Sequence, residues 1–123
     1  MLFDSKNRQD RQYVKAMKYY ESGSEKNLQK ALDLFRKASK TGHSPSIYKA
    51  GIMYLKGEGT DKDPQEAFRY FQLLKDKDYV PGHYALGYCY QNGLGTKKDL
   101  VASLFHYEKA ADNSDAYCAM KAG

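Results

Sequence analysis

A stretch of 36 residues occurs twice in succession. Setting residues 46–81 on 82–117 gives nine identities without a gap: Tyr48/Tyr84, Gly51/Gly87, Tyr54/Tyr90, Gly57/Gly93, Gly59/Gly95, Thr60/Thr96, Lys62/Lys98, Asp63/Asp99 and Asp76/Asp112. The register runs on to Gly123, which stands 36 after Gly87. A period of about 20 to 50 residues fixes the architecture before any single motif does, because each unit buries its apolar face only by stacking on the next. An earlier unit, from Tyr13 to Gly42, matches in its second half, where Ala31, Phe35 and Ala38 stand 36 before Ala67, Phe71 and Leu74. Its loop is two residues shorter, and Ser22-Gly23-Ser24 replaces Gly-x-Gly.

Each unit reads as two helices. Ser46, Ala50, Gly51 and Tyr54 fall on one side of a first helix, the side that faces neighbouring helices, where small residues allow close approach and the tyrosines Tyr54, Tyr90 and Tyr107 fill the space between. Glycines at 57 and 59 then end that helix. Asp63-Pro64-Gln65-Glu66 starts the second one with a capping aspartate, a proline at the first helical position and an acidic third residue, and Asp99 repeats the cap. Within the second helices, Ala67, Phe71 and Leu74, like Ser103, Tyr107 and Ala110, lie at i, i+4 and i+7 and make one packed stripe.

The succession Leu86-Gly87, Tyr90, Gly93-Leu94-Gly95, Asp99 and Lys109-Ala110-Ala111 resembles the Sel-one-like repeat (SLR) family. The resemblance covers about residues 13–123, after a basic lead-in over residues 1–12, as units of about 13–45, 46–81 and 82–117 with a truncated fourth. Met17, Ser103, Asp78 and Ser114 depart from the family pattern and bear on local packing and turns. The resemblance implies an all-α fold, an α/α right-handed superhelix (solenoid) of about three helix-turn-helix repeats, similar to tetratricopeptide arrays, which scaffold protein complexes. The repeat stops part-way through a first helix at Ala122-Gly123, so the apolar side of Leu104, Tyr107 and Ala110 is expected to lack a full cover and to invite self-association through this uncapped end.

Composition removes several functions. The net charge of +5 comes entirely from the first third, where residues 1–44 hold ten Lys/Arg against five Asp/Glu and the remainder is balanced. Lys6, Arg8, Arg11, Lys15 and Lys18 supply half of those cations and read as a solvated helix, with Asp4 and Asp10 among them. No apolar run approaches the ~18 residues of a membrane span, and Met1-Leu2-Phe3-Asp4 turns polar too early for a signal peptide, which points to a cytoplasmic setting. Gly93-Leu94-Gly95-Thr96-Lys97-Lys98 lacks the spacing of a phosphate-binding loop. His43, His83 and His106 have no second ligand at helical spacing, and neither Cys89 nor Cys118 adjoins a histidine, so no metal, cofactor or catalytic residue is expected and the cysteines read as small hydrophobes.

A second stripe, about 150° from the buried one, holds Tyr48, Ile52, Leu55 and Lys56 in one unit and Tyr84, Tyr88, Gln91 and Asn92 in the next. In a solenoid this stripe would line a concave groove, or, for Tyr48 and Tyr84, be partly buried between first helices. The reading is a non-enzymatic interaction scaffold or adaptor that takes a protein or peptide partner through these eight residues. An RNA-binding or acidic-surface-binding helical repeat is the alternative, disfavoured for nucleic acid by the neutrality of residues 45–123.

Overall fold

The computed structural model describes the backbone of residues 2–122 and the side chains of residues 8–114. The described residues form six helices and no strand: α1 (Leu2–Ser22), α2 (Glu25–Ser39), α3 (Ser44–Lys56), α4 (Pro64–Gln72), α5 (Val80–Asn92) and α6 (Leu100–Ala122). They fall into two units, Met1–Asp63 with α1 to α3 and Pro64–Gly123 with α4 to α6. Residues 2–12, set apart in the sequence as a lead-in, belong to the same helix as Tyr13.

In the first unit α2 packs on both α1 and α3. Its core is Ala16, Ala31, Leu32, Phe35, Ala38, Ile47, Ala50 and Met53, so the stripe read at Ala31, Phe35 and Ala38 is the buried one. Ser24 caps α2 by accepting the Asn27 N–H at 3.2 Å, which satisfies one of the amides a helix start leaves unpaired.

In the second unit α5 packs on α6 and on α4, over Ala67, Phe71, Leu74, Val80, Leu86, Cys89 and Ala110. Asp99 caps α6 through the Ala102 N–H at 3.0 Å. Ser103, where the repeat pattern has Ala, is buried and donates its hydroxyl to the Gly87 carbonyl at 2.8 Å, so the departure becomes an interhelical bond. The tyrosines read as core are only half-buried: Tyr54, Tyr90 and Tyr107 keep an edge in solvent because the phenol needs a polar partner. For Tyr90 that partner is Gln72 (3.3 Å), and for Tyr107 it is Gln91 (2.8 Å).

Both Gly-x-Gly loops are built alike. The Gly57 and Glu58 amides both reach the Met53 carbonyl, and the Asp63 amide reaches Tyr54; 36 residues later Gly93 and Leu94 reach Cys89, and Asp99 reaches Tyr90. This is the left-handed helix ending that frees the chain to start the next cap.

Candidate functional site

The stripe of α5 stands in solvent. Tyr84 is 48% and Tyr88 50% exposed, and Gln91 and Asn92 are exposed as well. Its side chains are held in place from below: the Tyr84 ring lies 6.2 Å from that of Tyr107, whose hydroxyl donates to Gln91 Oε1, and Asn92 Nδ2 donates to the Tyr88 carbonyl at 3.0 Å. Those bonds engage the Gln91 amide oxygen and the Asn92 amide nitrogen, so on these two adjacent exposed residues the Gln91 N–H groups are donors and the Asn92 oxygen is an acceptor. α5 carries no Asp, Glu, Lys or Arg from Val80 to Asn92.

The corresponding stripe of α3 is more covered. Tyr48, Ile52 and Leu55 are half-buried and Lys56 is exposed. Beside it lies a cluster that the repeat pattern does not single out. Lys49 Nζ sits 3.8 Å from the centre of the Tyr20 ring, and the Tyr20 hydroxyl donates to the Glu58 carboxylate at 3.0 Å. Burial lowers the Lys49 pKa, against the pull of Glu58, and burial followed by Glu58 raises that of Tyr20. The three come together because α1, α3 and the Gly57 loop meet in one unit, which spacing along one helix does not reveal.

Two histidines likewise come together from different helices. His83 and His106, 23 residues apart, are buried together with Nδ1 atoms 3.2 Å apart. His83 Nε2 donates to the Lys77 carbonyl at 2.7 Å, so in the neutral pair His83 Nδ1 accepts and His106 Nδ1–H donates. Tyr90 and Phe105 flank His106, and the pair lines a cavity of about 400 Å³ with Gln72, Asp76 and Lys109. Burial, then His83 and Lys109, lower the His106 pKa. Among the described residues no group of three His, Cys, Asp or Glu is placed to hold a metal ion. Cys89 is fully buried and burial pushes its thiol up to about 11, so it is inert; Cys118 lies outside the described side chains.

The cations Arg8, Arg11, Lys15 and Lys18 of α1 are exposed, and Asp10 among them bonds His43 at 3.1 Å; Lys6 lies outside the described side chains. No helix of the described residues is long and apolar enough to cross a membrane.

The repeated loop geometry is the decisive feature, and the Sel1 repeat family profile matches residues 1–28, 20–43, 44–79 and 80–115. The chain belongs to the Sel1 repeat family. Sel1 repeat proteins are helical scaffolds that typically mediate protein interactions and are generally non-catalytic. No curated protein matches the sequence. Among solved structures, a Sel1 repeat protein from Oxalobacter formigenes superposes with a TM-score of 0.80 at 25% identity, over 93% of this chain and 47% of that one. A protective antigen of uropathogenic Escherichia coli displaying an SLR fold gives a TM-score of 0.79 at 24% identity, over 87% of this chain and 23% of the antigen. The chain thus spans less than half the length of either Sel1 or SLR neighbour, and its fold is the all-α helical repeat fold of both.

Proposed function

We propose that this Sel1 repeat chain is a non-enzymatic interaction module that takes a peptide segment of a protein partner on the Tyr84, Tyr88, Gln91 and Asn92 stripe of α5. The observation that carries the reading is the exposure of two aromatic rings and two amides on a helix without a charged residue. Rigid rings lose little entropy on contact. The amide donor of Gln91 and the amide acceptor of Asn92, on adjacent exposed residues, match the alternating groups of a peptide backbone. Tyr48, Ile52 and Leu55, half-buried, and the exposed Lys56 hold the same register on α3 and give that unit a more covered counterpart.

Panning the chain against a displayed random-peptide library and titrating enriched peptides by fluorescence anisotropy tests this. Tyr88→Ala and Asn92→Ala should each weaken binding roughly tenfold. The alternative rests on the exposed cations Arg8, Arg11, Lys15 and Lys18 of α1. It would appear as affinity for RNA that falls steeply with salt and is insensitive to Tyr88.

A further inference from the structure

His106 is a buried polar side chain to which the peptide reading gives no role. It is 8% exposed, and three rings enclose it: His83 with its centre 5.4 Å away, Tyr90 parallel at 5.8 Å and Phe105 edge-on at 5.2 Å. The hydrogen-bond chain fixes where the protons sit. His83 Nε2–H donates to the Lys77 carbonyl, which leaves the His83 Nδ1 lone pair to accept from His106 Nδ1–H. Neutral His106 therefore carries its own lone pair on Nε2, and no described residue bonds that atom. Every fully buried side-chain nitrogen or oxygen among the described residues has a partner, so Nε2 is not sealed in and opens on the cavity of about 400 Å³ that His106 lines.

The charges around this nitrogen select what it meets. The segment after α4 brings Lys75, Asp76, Lys77 and Asp78 to the cavity, α5 brings His83, and α6 brings Lys109 one turn beyond His106. Lys109 Nζ stands 5.8 Å from the centre of the Phe105 ring that meets His106. Among the described residues no carboxylate pairs with Lys75 or Lys109. A metal ion would need a third ligand beside the two histidines, and no His, Cys, Asp or Glu among the described residues supplies it. An anion fits this setting better. One of its oxygens can accept from imidazolium Nε2–H while Nδ1–H stays on His83, and another can accept from the Lys109 ammonium. Two such donors match the two oxygens of one carboxylate. No arginine lines the cavity and two aspartates do, which weighs against a phosphate dianion. The Tyr90 and Phe105 rings offer apolar contact to a short carbon chain.

We propose that this cavity binds a short-chain organic monocarboxylate, one oxygen accepting from His106 Nε2–H and the other from the Lys109 ammonium. A free acid anion and a glutamate side chain of a partner present the same chemistry. The Tyr84, Tyr88, Gln91 and Asn92 stripe lines no part of the cavity, so the proposal stands apart from the peptide reading. Burial, His83 and Lys109 hold His106 unprotonated at neutral pH, and each anion bound there brings one proton from solvent to Nε2.

The test titrates sodium butyrate into the full chain at constant ionic strength and follows the imidazole nitrogens by proton–nitrogen correlation NMR. Butyrate should move His106 Nε2 from the unprotonated to the protonated position, and its affinity should rise by up to about tenfold per unit of pH as the solution is acidified from about pH 7.5 to pH 6. Lys109→Gln should weaken butyrate roughly fivefold or more with the melt unchanged, whereas Lys37→Gln, which removes the same charge from an exposed position on α2, should not. N-acetyl-glutamate N-methylamide, titrated in parallel, separates the sources: tighter binding than butyrate assigns the site to a partner's acidic side chain, and weaker binding assigns it to a free acid. The proposal is overturned if butyrate does not saturate below about 100 mM, far above the millimolar range of a two-contact ligand. Affinity independent of pH, an Nε2 that stays unprotonated at saturation, or equal weakening by both lysine variants overturns it as well. Zinc chloride or inorganic phosphate saturating the His106 signal where butyrate does not would do the same, assigning the cavity to a cation or to a dianion.

Discussion

Gly87 and Tyr107 meet where α5 crosses α6, and the contact leaves no room for a side chain. A Cβ at 87 would sit 2.7 Å from Cδ1 and Cε1 of the ring, which is itself held by its bond to Gln91. Gly87→Leu should cost ~1–3 kcal/mol in urea denaturation, and an unchanged midpoint would show that the ring can yield. His106 sets a pH limit on the same unit. Its pKa is lowered in the fold, so the unfolded chain takes up the proton first; this contribution to stability is whole above about pH 6.5 and is lost as pH falls through the lowered folded value. Urea midpoints for the parent should therefore drop between about pH 7 and pH 5, and His106→Gln should flatten that drop. A parallel fall in both proteins would place the sensitivity elsewhere. Gly87 was legible in the repeat as a close-approach position. The His83 and His106 pair was not, because residues 23 apart on two helices share no periodicity.

The loops show at the level of elements why the repeat could be read so far ahead of the structure. Helix ends are local chemistry: Gly57 and Gly93 at positive φ, Asp99 on the Ala102 amide, and Pro64 opening α4 all act within a few residues of themselves. Asp99→Ala should cost about 1 kcal/mol in a thermal melt. Gly59 and Gly95 carry a second constraint that spacing alone does not expose, since each backbone lies against a residue 31 earlier. Gly95→Ala should therefore destabilise by about 1–3 kcal/mol, through strain at positive φ and collision together, while Gly23→Ala, with open space around it, pays for the conformation alone. Equal losses at 95 and 23 would mean that the loop does not press on Pro64 and Phe68. Of the apolar side read on α6, Ala110 is fully buried and Tyr107 half-buried by their own unit, and only Leu104 stands bare. The sequence could give the phase of that helix but not how much of it the helices of its own unit cover.

Over the whole chain the proposed function rests on what the repeats leave exposed. The charge excess stays in residues 1–44, across α1 and α2, and the α5 stripe remains uncharged and in solvent, so the exposure of Tyr84, Tyr88, Gln91 and Asn92 was recoverable from helical phase. Lys49, Tyr20 and Glu58 were not, because three elements supply them. The central claim is that the exposed rings of α5 serve binding and not folding. The most direct measurement pairs a thermal melt with anisotropy titration of a library-selected peptide, for the parent and for Tyr84→Ala/Tyr88→Ala. The account expects stability within ~0.5 kcal/mol per substitution and an affinity lower by roughly tenfold or more. A double variant that melts early while what remains folded binds the peptide as before would contradict it, placing the rings in the core and the binding surface elsewhere.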